Sequence, residues 1–365
     1  MFEIFLHYDK IVLGCDWMKI VFTGGGTAGH ISLNLALIPY FIEKGYEVHY
    51  IGSKYGMEKD LVSDIDKVYY HEISTGKLRR YFSFENFKDP FRVLKGIFES
   101  KKLIKDIKPN IVFSKGSFVS FPVVVGAKMN NVPIVIHESD LSAGLANRLS
   151  FPFCKKIFLT FNNNKFKNKG EYIGAIVRSD IKLGNKDKGK SICGFLNDRP
   201  TLLVMGGSLG AKSINEAIWN NIDELLKKFN IIHICGRGSI KDIKMDNYVQ
   251  FEFIKNELKD IFALSDMVIS RAGANSIFEF LSIKLPMLLI PLPLSQSRGD
   301  QIENARYFKD RGYCNILEDE NINKEFLDKV YDTYEHIDEF KKNMDNQNEL
   351  GNIEDVVNKI IELQK

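Results

Sequence analysis

The chain has 365 residues, of which 44% are hydrophobic and 27% are charged, a composition typical of a soluble globular protein long enough for two domains. The formal net charge is only +3, so no global basic field that would bind nucleic acid is present, and any basic patch is local. No apolar run approaches the roughly 20 residues that cross a bilayer. The five scattered cysteines favour a reducing cytoplasm over a disulfide scaffold or a zinc site.

Two glycine-rich segments open the two halves of the chain. They are "KIVFTGGGTAGHISLNLAL" at 19–37 and "TLLVMGGSLGAKSINEAI" at 201–218, and in each a short apolar run leads into glycines and then a helix-compatible stretch. Because the first strand pattern starts one residue after Met18, residues 1–18 are expected to be an extension, either from an upstream start codon or not native, and the functional chain is expected to begin near Met18.

Short continuous apolar runs alternate with helical patterns, which is typical of parallel sheets covered on both faces. In chain order, further strands are predicted at 47–52, 110–116, 133–139, 156–161, 231–236, 267–273 and 286–291. The sequence therefore predicts an α/β fold of two doubly wound, Rossmann-like domains whose glycine loops face one shared cleft. We expect an N-terminal domain over 19–176, a C-terminal domain over 177–348, and a separate C-terminal helix within 349–365.

The first glycine loop literally satisfies the dinucleotide pattern G-x-G-x-x-G through Gly24, Gly26 and Gly29. That pattern also needs a carboxylate at the end of the second strand to bind ribose, and "HYIGSKYG" has none at the strand tip. A nicotinamide site is therefore disfavoured. His30, at the end of the loop, is a candidate general base near neutral pH, the alternative being a side chain that bonds a neighbouring carbonyl. The other histidines lack metal-ligand spacing, so no metal is predicted.

Six motifs occur in a specific order: "TGGGTAGH" (23–30), "KGSFVSFPVV" (115–124), "HESDLSAGLAN" (137–147), "VMGGSLGAKSIN" (204–215), "SRAGANSIFEF" (270–280) and "GDQIENA" (299–305). Through them the chain resembles the MurG family of bacterial peptidoglycan glycosyltransferases, from about Lys19 onward. The resemblance implies the two-domain GT-B fold and a C-terminal helix that packs back on the N-terminal domain. It also implies a cytoplasmic enzyme, peripheral on the inner face of the cell membrane.

The resemblance further implies that UDP-GlcNAc is the donor and undecaprenyl-linked lipid I the acceptor, with no cofactor. The loop facing the acceptor and the donor's GlcNAc would be Thr27, Ala28, Gly29 and His30. The donor site would comprise Asp140, Arg178, Ser208, Ile254, Ala274, Asn275, Glu279 and Gln301. Within it, Arg178, Ser208 and the helix N-terminus at Ala274 and Asn275 would face the diphosphate. Ile254 would border the uracil, Glu279 would accept from ribose hydroxyls, and Gln301 would bind GlcNAc hydroxyls.

The implied reaction is a single displacement with inversion, in which the muramoyl 4-hydroxyl attacks the anomeric carbon. His30 is the candidate base, and a carboxylate such as Glu138 stays open as an alternative. Other readings are a related GT-B transferase with another nucleotide sugar or lipid acceptor, and a non-catalytic sugar-nucleotide-binding protein.

Basic and aromatic residues are interleaved between residues 76 and 105, a mixture that can seat a protein on an anionic membrane surface. The predicted membrane patch comprises Lys77, Arg79, Arg80, Tyr81, Phe82 and Phe84. The alternative is an amphipathic helix that packs on the core and leaves a solvated basic face.

Overall fold

The structure is a computed structural model, and it describes residues 17–76, 85–162, 164–207, 210–297 and 299–364. Contacts between Cα atoms divide the chain into two compact units. The first unit runs to Ile136 and adds Leu149–Lys156 and the chain from Glu354 onward. The second unit takes His137–Arg148 and Ile157–Ile353. The predicted extension over residues 1–18 lies outside the described residues except for Trp17 and Met18.

The first sheet is built around β1, which pairs in parallel with β2 on one side and β4 on the other. Its strands are β1 (Lys19–Thr23), β2 (Glu47–Ser53), β3 (Val68–Ile73), β4 (Ile111–Ser114), β5 (Ile134–Glu138), β6 (Lys156–Leu159) and β7 (Gly170–Tyr172). They lie in the order β3-β2-β1-β4-β5-β6-β7. Because the chain winds outward from β1 in both directions, the glycine loop after β1 lies at the switch point of the sheet.

Helices follow most of these strands and supply the apolar layers that cover the sheet. They are α1 (Ser32–Glu43), α2 (Met57–Ser63), α3 (Glu85–Ile107), α4 (Ser120–Met129) and α5 (Leu145–Ser150). Phe22 of β1 packs edge-on against Phe41 of α1 and Phe113 of β4, with ring centroids 5.7 and 5.8 Å apart. This aromatic contact joins strand and helix in the core of the first unit.

The second sheet repeats the arrangement of the first. Its strands are β8 (Thr201–Met205), β9 (Asn230–Ile234), β10 (Tyr248–Phe251), β11 (Met267–Ser270), β12 (Met287–Leu289) and β13 (Cys314–Ile316). They lie in the order β10-β9-β8-β11-β12-β13, and every neighbouring pair is parallel. The glycine loop after β8 therefore occupies the same topological position as the loop after β1.

The helices of the second half complete the doubly wound pattern. They are α6 (Lys186–Cys193), α7 (Lys212–Asn220), α8 (Ile222–Leu225), α9 (Leu258–Leu264), α10 (Ala274–Ser282), α11 (Asp300–Lys309), α12 (Ile322–Glu335), α13 (Ile337–Asp345) and α14 (Ile353–Glu362). The last helix, α14, buries Val356, Val357 and Ile360. Beyond it, Leu363 accepts through its carbonyl from Lys155 Nζ at 3.2 Å, a contact inside the first unit.

These sheets confirm the predicted α/β fold of two doubly wound domains. The strands predicted from apolar runs are all present. Four further strands, β3, β7, β10 and β13, were not predicted, and they are the outermost strands of the two sheets. Among the described residues, no helix is both long and apolar enough to span a membrane.

Candidate active site

The first glycine loop turns the chain from β1 into a short 3-10 helix, Ala28–His30, and then into α1. Gly26 has φ +81°, a left-handed conformation that strains any residue with a Cβ. Thr27 is exposed, whereas Gly29 and His30 are partly buried. The His30 N–H donates to the Thr27 carbonyl at 3.1 Å, which closes the turn. The structure therefore brings the predicted acceptor-loop residues together in one turn.

A buried carboxylate from outside the loop, which the sequence motifs did not indicate, accepts a hydrogen bond from the loop backbone. Glu58, at the start of α2, is completely buried, and its Oε2 accepts from the Gly26 N–H at 3.0 Å. Its Oε1 accepts from the Ser53 N–H at 3.0 Å and from the Ser53 hydroxyl. The N–H of Gly26, which would bind phosphate in a dinucleotide site, is thus already paired with the chain's own carboxylate.

The "HESD" segment folds around Glu138 at the end of β5. Glu138 is buried and accepts from the N–H groups of Asp140 at 3.1 Å and Gly144 at 3.0 Å, and from Asn147 Nδ2 at 2.9 Å. Three donors occupy the two oxygens of this carboxylate, so its observed role is to hold the 140–147 loop. Asp140 itself is partly buried in that loop.

The second glycine loop follows β8 and uses glycine at two left-handed positions, Gly207 at φ +92° and Gly210 at φ +75°. A Cβ on Gly210 would lie 2.2 Å from the Cys235 carbonyl oxygen, so only glycine fits this close approach. That same carbonyl accepts from Asn215 Nδ2 of α7 at 2.9 Å. Ser208 lies outside the described residues.

Two predicted donor-site residues meet in the second unit. Arg178 Nε lies 3.7 Å from a carboxylate oxygen of Glu279 in α10 and 3.6 Å from Asp180. Burial raises the pKa of the Glu279 carboxyl, while the Arg178 guanidinium opposes that rise and Asp180 adds to it. Arg178 is 39% exposed, so its guanidinium remains accessible to a phosphate oxygen.

The N-terminus of α10 carries Ala274 and Asn275, directly after Gly273. Gly273 is the N-cap, and no side chain in the described part of the chain caps this helix. Helix N-terminal N–H groups and the helix dipole favour an anion at such a position. Glu279 lies on the same helix, so α10 carries both this N-terminus and the partner of Arg178.

Ile254 lies in the loop after β10, and Gln301 lies in the first turn of α11. Ile254 is buried after β10 and packs in the main core cluster of the second unit. Gln301, in the first turn of α11, accepts through Oε1 from the Leu292 N–H at 3.0 Å. The oxygen of Gln301 thus fixes the loop after β12.

The predicted membrane patch at Lys77, Arg79, Arg80, Tyr81, Phe82 and Phe84 lies outside the described residues. Within the described ranges, no group of three or more His, Cys, Asp or Glu side chains could hold a metal ion.

Two family models match the chain in the order of its two sheets. The glycosyltransferase family 28 N-terminal domain matches residues 20–159, and the glycosyltransferase family 28 C-terminal domain matches residues 201–360. The chain belongs to glycosyltransferase family 28.

Relatives within this family are similar over nearly their whole length. A protein of Clostridium tetani named UDP-N-acetylglucosamine–N-acetylmuramyl-(pentapeptide) pyrophosphoryl-undecaprenol N-acetylglucosamine transferase is 53% identical over 350 residues, covering 93% of this chain and 98% of the relative. An Oceanobacillus iheyensis protein of the same name is 55% identical over 314 residues, covering 85% and 88%. The crystal structure of MurG from Acinetobacter baumannii has a TM-score of 0.74 at 23% identity, covering 94% of this chain and 99% of that one. This last likeness establishes the fold.

A second buried charge in this family 28 fold was also missed by the sequence analysis. Arg271 follows β11 inside the "SRAGANSIFEF" motif, is 8% exposed, and forms an ion pair with Asp319 at 2.5 Å. Its guanidinium also donates to the Ile290 carbonyl at 3.1 Å and to Ser213 Oγ at 2.8 Å. Arg271 thereby ties the end of β12 to the first turn of α7. An arginine directly after the buried strand β11 is the local signal for this residue, whereas its partner Asp319 lies 48 residues away.

Proposed function

We propose that this chain transfers N-acetylglucosamine from UDP-GlcNAc to the muramoyl 4-hydroxyl of lipid I, giving lipid II. The observation that carries the proposal is the 53% identity over 98% of the Clostridium tetani relative, whose name states this donor sugar and a pyrophosphoryl-undecaprenol acceptor. A likeness that spans both halves of the chain favours the complete reaction over a sugar-nucleotide-binding role alone.

The donor would bind to the second unit. In this proposal the Arg178 guanidinium and the N–H groups at the α10 N-terminus bind the diphosphate, because both offer fixed positive charge to phosphate oxygens. The same groups stabilise the charge that develops on UDP as the bond to the sugar breaks. Glu279, 3.7 Å from Arg178, would accept from the ribose hydroxyls, and Gln301 would donate to GlcNAc hydroxyls.

The acceptor hydroxyl would lose its proton to the His30 imidazole as its oxygen attacks the anomeric carbon from the face opposite UDP. His30 is preferred to Glu138 as the base, because the oxygens of Glu138 already accept from Asp140, Gly144 and Asn147. The displacement inverts the anomeric carbon and gives a β-1,4 bond.

The first test is turnover of labelled UDP-GlcNAc with a lipid I analogue, with and without chelator. We expect lipid II analogue in both cases. His30→Ala should lower kcat by about a hundredfold or more, the range typical of general-base removal, and leave UDP-GlcNAc binding intact. His336→Ala, which removes an exposed histidine at the start of α13, is the matched control and should turn over normally. Near-normal kcat in His30→Ala would assign the base elsewhere.

We also propose that the protein is peripheral on the cytoplasmic face of the membrane, with α3 as a contact element. Phe91, Leu94 and Phe98 are 74%, 53% and 65% exposed and recur at helical spacing on one face of α3. Exposed lysines of the same helix lie among and beyond them: Lys95, Lys101, Lys102 and Lys105. Apolar side chains with neighbouring cations suit the headgroup region of an anionic bilayer.

A transferase of the same fold with another nucleotide sugar is the second candidate, because the diphosphate contacts described above are independent of the sugar. Competition between UDP-GlcNAc and UDP-glucose separates the two. UDP-GlcNAc should protect the protein against thermal unfolding, whereas UDP-glucose should have little effect.

A further inference from the structure

We infer that Glu58 is a positioning residue for the proposed transfer: its carboxylate locks the His30-bearing glycine loop to the β2–α2 loop in the geometry that the reaction needs. This inference rests on the proposed function. Glu58 itself is buried inside the loops, so it would act through the backbone that carries His30 and would not touch the substrates.

The carboxylate joins two segments that are distant in sequence. One oxygen accepts from Gly26 in the glycine loop at 3.0 Å, and the other accepts from the N–H of Ser53 at the end of β2, also at 3.0 Å, and from its hydroxyl. Glu58 is 0% exposed, and a carboxylate is retained in such a place only where donors replace water. The three donors make Glu58 a bridge between the two loops.

The surrounding glycines are fitted to this carboxylate. A Cβ on Gly25 would lie 2.4 Å from a Glu58 carboxyl atom, and a Cβ on Gly56 would lie 2.2 Å from one. Any larger residue at either position would push the carboxylate out. Gly25 in the first loop and Gly56 before α2 therefore make room for the chain's own anion.

Further hydrogen bonds hold the backbone at the ends of β1 and β2, where the two loops begin. The Tyr70 hydroxyl donates to the Ser53 carbonyl at 2.7 Å, and the Tyr50 hydroxyl donates to the Gly24 carbonyl at 2.8 Å. Asn34 of α1 donates to the Thr23 carbonyl at 3.1 Å. With both strand ends fixed in this way, the Glu58 bridge determines the path of the loop between them.

The path of that loop sets the position of His30. Gly24 lies so close to the His30 carbonyl that a Cβ on Gly24 would be 2.4 Å from that oxygen. A shift of the Gly24–Gly26 backbone therefore moves the Ala28–His30 turn with it. A displacement of the base by about 1 Å can lower a reaction rate by about a hundredfold, whereas donor-binding residues of the second unit are unaffected.

The test compares steady-state kinetics of the full chain with those of Glu58→Gln and Glu58→Ala. Glutamine has one acceptor oxygen in place of two, so either Gly26 or Ser53 loses its partner. We expect kcat to fall between about tenfold and a hundredfold in both variants, while the KM for UDP-GlcNAc changes by less than about twofold. Glu72→Gln, which removes an exposed carboxylate paired with Lys59, is the matched control and should retain kcat.

Chemical rescue separates positioning from a general loss of folding. In Glu58→Ala, added formate can occupy the vacated space and accept from Gly26 and Ser53, so kcat should rise with formate and not with chloride at equal ionic strength. If both Glu58 variants fail to fold, Ser53→Ala removes one donor and keeps the carboxylate. It should lower kcat about threefold or more with the same unchanged KM.

The outcomes distinguish this inference from the proposed function. An unaltered chain without transferase activity contradicts the proposed function. An active unaltered chain with Glu58→Gln and Glu58→Ala within about twofold of its kcat overturns the positioning role. So does a kcat loss that tracks the folded fraction and is indifferent to formate.

Discussion

At the scale of single residues, three glutamates near the predicted loops have different roles because their surroundings differ. Glu58 and Glu138 are buried and their oxygens are occupied by donors of the same chain. Glu279 is partly exposed beside Arg178, and its raised pKa has burial as the principal cause. Only the third keeps a partly exposed carboxylate, so residue type alone does not assign the role.

His233 belongs to a buried polar network of the second unit. Its Nδ1 lies 2.9 Å from the Tyr248 hydroxyl, and its Nε2 lies 3.0 Å from Asn215 Oδ1. The same Tyr248 hydroxyl accepts from Trp219 Nε1 at 3.0 Å, so its proton is directed to His233 Nδ1. The network therefore fixes a neutral imidazole with its proton on Nε2.

This network predicts a pH-dependent stability of the second unit. Burial lowers the pKa of His233 to about 4, below its ordinary value of about 6.5. Between these values the unfolded chain binds a proton that the folded chain does not. The free energy of unfolding should therefore be fully retained above about pH 6.5 and fall by on the order of 3 kcal/mol as the pH approaches 4.

The measurement is urea unfolding between pH 4.5 and 7.5, followed by the fluorescence of Trp219, whose ring lies 5.6 Å from that of His233, in a Trp17→Phe background. His233→Gln should flatten the slope with pH. His336→Gln is the control, because the Asp332 carbonyl raises the pKa of this exposed histidine and its contribution has the opposite sign. An unchanged slope in His233→Gln would assign the acid sensitivity to other groups.

Much of the site at this scale could be predicted because it is local in sequence. The His30 turn and the α10 N-terminus each lie within one short motif. Glu58 and Arg271 could not be found in this way, since the partners of Glu58 are Gly26, 32 residues away, and Ser53, and Arg271 pairs with Asp319, 48 residues away. Only the folded sheets bring these donors and acceptors together.

At the scale of elements, the strands that could be predicted are those at the centre of each sheet. A strand covered on both faces needs a continuous apolar run, as in β4, which is buried throughout. The missed strands β3, β7, β10 and β13 lie at the sheet edges and are only partly buried. Their polar residues are tolerated because one side faces solvent, so their sequences lack the apolar signal.

Helix α3 has one closely packed, buried face and one exposed, apolar face. Its inner face carries Gly96, Ser100 and Ile104, and a Cβ on Gly96 would lie 2.1 Å from the Ser74 carbonyl oxygen. Such close packing is possible only with glycine. The large apolar residues Phe91 and Phe98 are on the opposite, exposed face. Packing of the apolar side of this helix on the core was the alternative. Among the described residues, it does not explain why Phe91 and Phe98 are exposed.

This exposed face predicts membrane binding through α3. The double variant Phe91→Ser/Phe98→Ser should bind vesicles containing phosphatidylglycerol about tenfold or more weakly, because two apolar side chains no longer enter the bilayer interface. Added salt should weaken binding of the unaltered chain by screening the lysines. The measurement is co-sedimentation with vesicles across salt concentrations.

The matched control for this surface is Leu196→Ser/Leu294→Ser. Both leucines are in the second unit and are 95% and 70% exposed, so the double variant removes similar apolar area elsewhere. It should bind vesicles like the unaltered chain. Equal losses in the two double variants would show that the effect is not specific to α3.

At the scale of the whole molecule, the two halves repeat one plan and diverge at their loops. In each half, the helix after the glycine loop carries a buried asparagine. Asn34 donates to the Tyr50 hydroxyl of the second strand in the first sheet, and Asn215 donates to the Cys235 carbonyl just beyond the second strand of the other sheet. The halves differ in what occupies the loop. The first contains the Glu58 carboxylate, whereas Gly210 of the second bonds back to the Gly207 carbonyl at 3.0 Å.

This difference predicts that a nucleotide sugar stabilises one half of the molecule selectively. A carboxylate already occupies the first loop, and the second unit offers Arg178 and the α10 N-terminus to a diphosphate. UDP-GlcNAc at a hundred times its Kd should stabilise the folded second unit by about 2.7 kcal/mol. Hydrogen exchange followed by mass spectrometry should show protection in the segments around Gly207–Gly210 and Gly273–Glu279, with little change at Gly24–His30.

Arg178→Ala should remove most of this protection, because the guanidinium is the principal side-chain cation offered to the diphosphate in this proposal. Lys182→Ala, four residues on in the same segment, is the matched control and should keep it. UDP-glucose should protect less than UDP-GlcNAc if Gln301 donates to the GlcNAc hydroxyls. Protection centred on the first glycine loop would contradict the assignment of the donor to the second unit, and equal protection by both sugars would favour a transferase with another donor.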